Sequence, residues 1–311
     1  MRAHLSIPRS RRLTHHTLPH GIYPYLVSPV ARDGRVDEAL IERLVGDLIA
    51  AKVNGVTPLG STGEVMYLTP SQRRAIVAAT IRAAAGRVPV VPGLAAFSTH
   101  DAVEQAIELE RMGVDGIVVM RQNAFPTSEE GVIGYFSEVA KAVSVPIVLY
   151  TNPTLLGTDF SIDALIALSA IPNIRYIKDA TGDTGRILTL INRLGGRLEV
   201  FSASGHIPAF VFLLGGVGWM AGPACVIPKA AAELYRRVKL GDVVSAMALQ
   251  RPLWAINECF RKYPLAACIK TALQLRGYDV GDPIAPQRPL DGKAREEIAA
   301  ALEAADQAIG N

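Results

Sequence analysis

The chain has 311 residues, of which half are hydrophobic and a fifth are charged, and its formal net charge at pH 7 is +3. This length and composition predict one large or two ordinary domains with a sizeable core, and they exclude a disordered or fibrous chain. The dispersed basic residues indicate neither a nucleic-acid nor a membrane partner. No apolar run approaches the roughly 20 residues that a membrane-spanning helix needs.

Residues 1–20 carry Arg and His but no apolar segment of secretory length. We therefore expect a flexible N-terminal extension rather than a signal peptide, with an organelle-type presequence as the alternative. The three cysteines, Cys225, Cys259 and Cys268, form no CxxC pair, so we expect small core residues and a reducing, cytoplasmic compartment. No spacing of His, Asp and Glu predicts a metal site.

From Gly21 onward, short apolar runs alternate with segments of helical periodicity. Continuous apolar runs are typical of parallel strands that helices cover on the outside. Eight such runs occur, at Ile22–Val27, Gly55–Leu59, Val88–Val91, Gly116–Met120, Pro146–Tyr150, Tyr176–Asp179, Leu198–Ser202 and Gly218–Ala221. This alternation predicts an α/β fold, a (β/α)8 TIM barrel at residues 21–225, with a doubly wound open sheet as the alternative.

The segments of helical periodicity begin at recognisable N-terminal signals. Asp37 heads the first, and Thr69-Pro70 and Ser161 head later ones. Other predicted barrel helices are Ser71–Ala84, Thr99–Met112 and Ser128–Val143. After Ala221 the strand pattern stops, and helices are predicted at Pro228–Leu240, Val244–Phe260, Leu265–Leu275 and Ala294–Ile309. We therefore predict a C-terminal helical region at residues 226–311.

Two polar windows follow predicted strands, at the end of the barrel where catalysis occurs in this fold. The first is Gly60-Ser61-Thr62-Gly63-Glu64, whose hydroxyls and exposed N–H groups suit a carboxylate. An ordinary strand-to-helix turn is the alternative. The second window ends the fifth strand at Tyr150, which is either a proton relay or a core aromatic with its hydroxyl satisfied.

The sixth predicted strand carries the most specific signal. Strand alternation puts Tyr176 and Lys178 on one side and Arg175 and Ile177 on the other. If the Lys178 side is the barrel interior, burial lowers the pKa of the amine, and the neutral form can attack a carbonyl. The alternative is a lysine that extends to solvent at the strand end.

Together these windows resemble the dihydrodipicolinate synthase / N-acetylneuraminate lyase family of class I, pyruvate-dependent aldolases. The similarity covers nearly the whole chain from Gly21. It includes Leu26-Val27-Ser28-Pro29, the Gly60–Glu64 window, Tyr150 with Asn152-Pro153 and Gly157, Ile177-Lys178-Asp179 with Thr181-Gly182-Asp183, Gly215-Gly216, Lys270 and Arg288-Pro289-Leu290. The occurrence of these features in the right order and at the right spacing makes the resemblance specific.

The resemblance implies a role for each of four residues. Lys178 would form an imine with a 2-oxo acid such as pyruvate, and no further cofactor would be needed. Ser61 and Thr62 would hold the substrate carboxylate, and Tyr150 would shuttle protons between the substrate and the Ser61 hydroxyl. Family members are usually tetramers built as dimers of dimers, so a homotetramer or a homodimer is expected.

The second half of the substrate site departs from both well-known branches of the family. Leu155 stands five residues after Tyr150, where the synthases have an arginine that binds the aldehyde carboxylate. Sialic acid lyases use an Asp-Glu pair and a serine where this chain has Ser204-Gly205-His206 and Gly222. The tyrosine that usually follows the fourth strand is replaced within Met120–Pro126.

These departures leave the second substrate open. Arg121, Asn123 and His206 are candidates to bind a different partner or leaving group, and solvated loop residues are the alternative. The predicted substrate-binding residues are Thr62, Gly60, Met220, Leu155, Ala203, Asn123 and His206.

The sequence thus predicts a lyase that acts on a 2-oxo acid, by aldol cleavage or condensation or by dehydration of a 2-oxo-3-deoxy acid. The first alternative is an authentic 4-hydroxy-tetrahydrodipicolinate synthase, against which Leu155 argues. The second alternative is a binding or regulatory protein that has lost catalysis, against which the complete set of Lys178, Tyr150, Ser61 and Thr62 argues.

Overall fold

The computed structural model describes residues 17–157 and 159–310. Within them, seven parallel strands form one curled sheet in the order β1-β7-β6-β5-β4-β3-β2. The strands are β1 Gly21–Pro24, β2 Gly93–Ala96, β3 Ile117–Arg121, β4 Ile147–Thr151, β5 Ile174–Asp179, β6 Glu199–Ser202 and β7 Gly218–Ala221. Helices lie between successive strands, as expected for a parallel sheet of the TIM-barrel type.

Residues 55–59 close the ring between the two edge strands. Tyr25, just after β1, forms an isolated parallel bridge with Thr57, and Val56 forms another with Val90, just before β2. The segment that we predicted as the second strand therefore occupies its place in the barrel through single bridges. The predicted TIM-barrel fold is confirmed.

The third strand begins later than the sequence analysis predicts. We expected it at Val88–Val91, whereas β2 forms at Gly93–Ala96. Pro89 and Pro92 have no backbone N–H, so a regular ladder cannot run through the earlier segment. The position of the proline residues thus accounts for the shift.

The helices largely follow the predicted pattern, and several of their caps are the predicted residues. Asp37 accepts a hydrogen bond from the Leu40 N–H at 2.9 Å, and Thr69 and Gln72 form a capping box. The described helices are α1 Glu38–Ala50, α2 Pro70–Ala84, α3 Thr99–Met112, α4 Glu129–Ala142, α5 Pro153–Leu156, α6 Ile162–Leu168, α7 Thr184–Leu194, α8 Pro208–Leu214, α9 Pro223–Val226, α10 Pro228–Lys239, α11 Val243–Lys262, α12 Leu265–Leu275 and α13 Gly292–Gly310, with a 3-10 turn at Val65–Tyr67. In this described part of the chain, no helix combines the length and apolar character that crossing a membrane requires.

The C-terminal helices form a cluster beside the barrel. Helix α10 packs on β1 and α8, and α11, α12 and α13 pack on one another. Helix α12 also contacts α9, which follows β7 directly. The C-terminal helices thus reach the end of the barrel where the predicted site residues lie, and the boundary at residue 226 stays a prediction.

The start of the described chain packs against the opposite end of the barrel. Leu18 is buried, and its N–H donates to the Tyr176 hydroxyl at 2.7 Å. The Tyr23 hydroxyl donates to the Pro19 carbonyl at 2.7 Å. Residues 1–16 of the predicted extension lie outside the described residues, so its flexibility stays a prediction.

Aromatic side chains fill the middle of the barrel beneath Lys178. The Phe201 ring lies 5.5 Å from the Tyr23 ring and 5.5 Å from the Tyr176 ring, measured between ring centres. All three side chains are fully buried. Such packed layers make the interior of a TIM barrel a core rather than a pore, so chemistry is confined to its upper end.

Candidate active site

Lys178 lies in the barrel interior between two tyrosine rings. Its Nζ is 4.0 Å from the ring centre of Tyr25 and 4.1 Å from that of Tyr150. The next residue, Asp179, faces the other side of β5 and forms an ion pair with Arg186 at 2.8 Å. Burial lowers the pKa of Lys178 to about 7, so much of the amine is neutral near neutral pH.

The phenol of Tyr150 is held by two polar neighbours. Its hydroxyl accepts a hydrogen bond from Asn152 Nδ2 at 3.1 Å and forms another with the Ser61 side chain. Burial raises the pKa of Tyr150, and the two hydrogen bonds oppose that rise only in part. The phenol therefore keeps its proton at neutral pH and can exchange it with a group bound at Lys178.

Asn152 was named in the sequence only as part of a motif, and the structure gives it two contacts. Besides donating to Tyr150, its Oδ1 accepts the Leu155 N–H at 3.1 Å and so caps α5. Asn152 thus fixes the Tyr150 hydroxyl and the start of the loop that carries Leu155. A side chain that caps a helix can be predicted from its position before Pro153, but its contact to Tyr150 cannot.

The window at residues 60–64 lies beside Lys178 because its glycines allow close packing. A Cβ on Gly60 would lie 2.0 Å from a ring carbon of Tyr25, so only glycine fits there. Thr62 is buried, and a Cβ on Gly222 would lie 2.8 Å from its Oγ1. The loop therefore brings Ser61 and Thr62 to the upper end of the barrel.

Glu64 ties this loop to the C-terminal part of the chain. Its Oε1 accepts hydrogen bonds from the Ile284 N–H at 2.6 Å and from Gln287 Nε2 at 2.9 Å. Its Oε2 lies 2.8 Å from Lys270 Nζ, which also donates to the Asp282 carbonyl at 2.8 Å. The buried carboxylate thus has both charge and hydrogen-bond partners.

A cavity of about 330 Å³ opens above the barrel next to Ser61. It has the size of a small-molecule site, and most of its lining is apolar. Leu155, Met120 and Gln122 line it on the barrel side, and Leu265 of α12 lines it on the other. A larger groove between α2 and α3 is lined by a mixture of charged and apolar side chains. Neither lining includes Lys178 or Tyr150, and the smaller cavity reaches the site through Ser61.

His206 is buried and interacts electrostatically with Lys178 and Asp179. Its Nδ1 accepts the Ala203 N–H at 3.2 Å, so the proton of the neutral ring is on Nε2. Nε2 is buried and has no hydrogen-bond partner among the described residues. Burial lowers the pKa of His206, with Asp179 opposing and Lys178 adding to that change. The ring is therefore neutral at pH 7.

The remaining predicted residues lie at different depths. Met220 is fully buried on β7 and is paired with Tyr23 on β1. Arg121 is buried and donates to Thr127 Oγ1 at 3.3 Å. Asn123 is exposed and donates to the Gly157 carbonyl at 3.3 Å, so it supports the loop after β4. At the end of β3 the cavity is lined by Met120 and by Gln122, and Gln122 was not predicted as a site residue.

Tyr25 is the residue beside Lys178 that sequence analysis missed. It follows β1 directly, is buried, and lies as close to Lys178 Nζ as Tyr150 does. A signal was present, because Tyr23 and Tyr25 alternate along β1 in the same way as Tyr176 and Lys178 along β5. Both pairs point into the barrel.

Among the described residues, no group of three or more His, Cys, Asp and Glu side chains is placed to hold a metal ion. The three cysteines, Cys225, Cys259 and Cys268, are free and buried, as expected of core residues.

Comparison with known proteins agrees with this geometry. Residues 18–305 match the model of the dihydrodipicolinate synthetase family. The 4-hydroxy-tetrahydrodipicolinate synthase of Acidiphilium cryptum is 31% identical over 283 residues, which cover 91% of this chain and 97% of the relative. An uncharacterized DapA-like lyase of Halobacterium salinarum is 31% identical over 285 residues and 92% of each chain.

Solved structures show the same similarity. The crystal structure of the chloride-inhibited dihydrodipicolinate synthase of Acinetobacter baumannii, complexed with pyruvate, superposes with a TM-score of 0.87 at 31% identity. The match covers 93% of this chain and 99% of that one. The chain thus belongs to the dihydrodipicolinate synthetase family, whose members are class I, pyruvate-dependent lyases. These enzymes use a covalent lysine–pyruvate Schiff base rather than a bound cofactor.

Proposed function

We propose that Lys178 is the residue that forms the Schiff base in this lyase, with pyruvate or another 2-oxo acid. The observation that supports this most strongly is the buried amine with its pKa lowered to about 7, beside the Tyr150 phenol. Among class I aldolases, an unprotonated lysine is the form that reacts. A lysine that reached into solvent would keep its ordinary pKa and its charge.

The reaction begins when the Lys178 lone pair attacks C2 of the 2-oxo acid. The carbonyl oxygen takes up protons and leaves as water, and a protonated imine remains. This imine accepts the electron pair released when the C3–C4 bond breaks in aldol cleavage. It equally accepts the pair left when a C3 proton departs, after which the resulting enamine expels a C4 hydroxyl in a dehydration.

Tyr150 and the residue 60–64 loop serve these steps in complementary ways. The neutral Tyr150 phenol passes protons to and from the bound substrate, with Ser61 hydrogen-bonded to it. Thr62 and the backbone N–H groups beside it hold the carboxylate of the 2-oxo acid. Gly60, Met220 and Ala203 form the walls around the imine carbon.

The apolar cavity beside Ser61 accommodates the group on C4. Leu155 and Met120 give the cavity no charge that would bind the carboxylate of aspartate semialdehyde. This supports a leaving group or aldehyde other than that one. The buried Nε2–H of His206 has no partner among the described residues and can donate to a hydroxyl or oxo group of the substrate. Arg121 and Asn123 instead donate to neighbouring loop residues.

We further propose that the protein is a cytoplasmic homotetramer or homodimer. Four exposed large side chains support an assembly, namely Met66, Tyr67, Phe97 and Phe125, which is 80% exposed. They follow residues 55–59, β2 and β3, which are neighbours in the barrel, and exposed apolar patches mark contact surfaces. The free, buried cysteines support a reducing compartment.

Trapping with borohydride tests the proposed function. Pyruvate is added to the protein, the imine is reduced, and the intact mass is measured for the wild type, Lys178→Ala and Lys141→Ala. We expect a pyruvyl adduct on the wild type and on the Lys141 variant, whose side chain is exposed. The proposal fails if the wild type gives no adduct or if the adduct survives Lys178→Ala.

A coupled assay separates this proposal from an authentic 4-hydroxy-tetrahydrodipicolinate synthase. Pyruvate and aspartate semialdehyde are supplied together with the downstream reductase, and nucleotide oxidation is followed. We expect imine formation without appreciable turnover, because Leu155 cannot bind the aldehyde carboxylate. Robust turnover would show that the substrate argument from Leu155 is wrong.

A further inference from the structure

Tyr25 forms the side of the Lys178 pocket that faces the carboxylate-binding loop. Its ring centre is 4.0 Å from Lys178 Nζ, and its ring packs on Gly60, the first residue of that loop. Only 1% of Tyr25 is exposed. The ring therefore lies between the amine and the loop that holds Ser61 and Thr62.

The Tyr25 hydroxyl differs from those of the other tyrosines in the barrel. Tyr23 donates to the Pro19 carbonyl, Tyr176 contacts Leu18, and Tyr150 contacts Asn152. The Tyr25 hydroxyl is buried and has no hydrogen-bond partner among the described residues. A buried polar group without a partner destabilises the fold, and at a functional site it is explained by a partner that arrives with the substrate.

Burial and the neighbouring Tyr150 raise the pKa of Tyr25 well above that of an exposed tyrosine. The phenol thus stays protonated at neutral pH and is available as a donor. A carboxylate is the strongest acceptor it could meet, because a hydrogen bond to a charged oxygen is shorter and stronger than one between neutral groups.

We propose that Tyr25 is a substrate-binding residue whose hydroxyl donates a hydrogen bond to the carboxylate of the 2-oxo acid held on Lys178. This inference rests on the proposed function. The phenol oxygen is attached to a ring whose centre is 4.0 Å from Nζ, and the carboxylate is attached to the carbon that Nζ holds. Tyr25 therefore joins Thr62 in holding that carboxylate, from the β1 side of the barrel.

The test compares Tyr25→Phe with Tyr23→Phe, which removes a hydroxyl from the same strand at the far end of the barrel. Pyruvate is titrated into each protein by calorimetry at pH 8, and thermal unfolding is measured without ligand. We expect Tyr25→Phe to weaken pyruvate binding by about tenfold or more, as loss of a hydrogen bond to a charged group does. Tyr23→Phe should bind pyruvate as the wild type does.

The stability measurement distinguishes a hydroxyl that binds the substrate from one that stabilises the fold. If it has no partner in the free protein, Tyr25→Phe should unfold at the same temperature as the wild type or at a higher one. A lower unfolding temperature with unchanged pyruvate binding would show a structural hydroxyl and overturn the proposal. Methyl pyruvate is the matched probe, since it has no charged carboxylate, and its binding should differ little between the wild type and Tyr25→Phe.

The outcomes distinguish this inference from the proposed function. Wild-type protein that neither binds pyruvate nor gives a borohydride-stable adduct overturns both. Wild-type protein that binds pyruvate through Lys178, together with Tyr25→Phe that binds it equally well, overturns this inference alone. Equal weakening for pyruvate and for methyl pyruvate would also overturn it, because the lost contact would then not be to the carboxylate.

Discussion

The carboxylate of Glu64 and the ammonium of Lys270 lie 2.8 Å apart, and neither side chain is more than 1% exposed. Glu64 also has a left-handed backbone conformation, with φ of 53°, directly after the loop that carries Ser61 and Thr62. The pair thus joins the predicted carboxylate-binding loop to α12. The shape of the site consequently depends on a contact between the barrel and the C-terminal helices.

Removing one partner of this pair should be strongly destabilising. We expect Lys270→Met to lower the free energy of unfolding by roughly 3–5 kcal/mol, because the Glu64 carboxylate is left buried without its counter-charge. The exposed Lys262–Glu297 pair provides the control. Lys262→Met should change the free energy of unfolding by less than about 1 kcal/mol. Chemical denaturation measures both, and equal small losses would contradict the role given to Lys270.

The lowered pKa of Lys178 should make stability depend on pH. The pKa is about 7 in the folded protein, against 10.5 for an exposed lysine. Between these values the unfolded chain binds more protons, so this residue raises the free energy of unfolding by about 1.4 kcal/mol per pH unit. The penalty of burying Lys178 is therefore complete below pH 7 and disappears as the pH approaches 10.5.

Lys178→Met removes that dependence. The variant should be more stable than the wild type near pH 7, and its advantage should shrink steadily as the pH rises to 9.5. Denaturation at a series of pH values measures this, with Lys141→Met as a control for an exposed lysine. A stability difference that stays constant between pH 7 and pH 9.5 would show that Lys178 is charged in the folded protein.

Tyr150→Phe should separate imine formation from proton transfer. The exchange of the pyruvate methyl protons in deuterated water, followed by NMR, reports enamine formation without any second substrate. We expect this rate to fall about a hundredfold or more, while borohydride trapping of the pyruvate imine falls much less. Tyr135→Phe is the control, since its hydroxyl donates to the Ala96 carbonyl. Equal losses in exchange and trapping would reduce Tyr150 to a packing residue.

Introducing an arginine at position 155 tests the substrate argument. Leu155 lines the cavity beside Ser61 and is 55% exposed, so Leu155→Arg should leave the fold intact. We expect this variant to condense pyruvate with aspartate semialdehyde faster than the wild type, because a guanidinium binds a carboxylate through paired hydrogen bonds. Leu188→Arg places the same charge at another exposed leucine and should have no effect. Equal rates for all three proteins would contradict the importance of position 155.

Much of the fold could be predicted because it depends on local patterns. Asp37 and Ser161 cap helices as their side chains predict, and helix α3 has the predicted bounds. Two segments are exceptions. Residues 55–59 pair only through isolated bridges, and around Pro89 and Pro92 the missing N–H groups interrupt the predicted strand. Hydrophobic periodicity predicts which side chains are buried, but it does not predict which backbone groups form the hydrogen bonds of the sheet.

The site could be predicted less completely, for a physical reason. Lys178 and Tyr150 were found because their strand ends carry polar groups that packing does not require. Tyr25 was missed because a tyrosine in an apolar strand is normal, and only the structure shows its distance to Lys178. Contacts between residues distant in sequence, such as Glu64 with Ile284, are likewise absent from any local pattern.

The most direct test of the account is to locate the reduced pyruvate adduct within the chain. Trypsin normally cuts after Lys178, but an alkylated lysine resists cleavage, so the adduct should appear on the peptide spanning residues 176–186. Fragmentation should then place the added mass on Lys178. An adduct on any other lysine, or unmodified peptides from a protein that has bound pyruvate, would contradict the central claim.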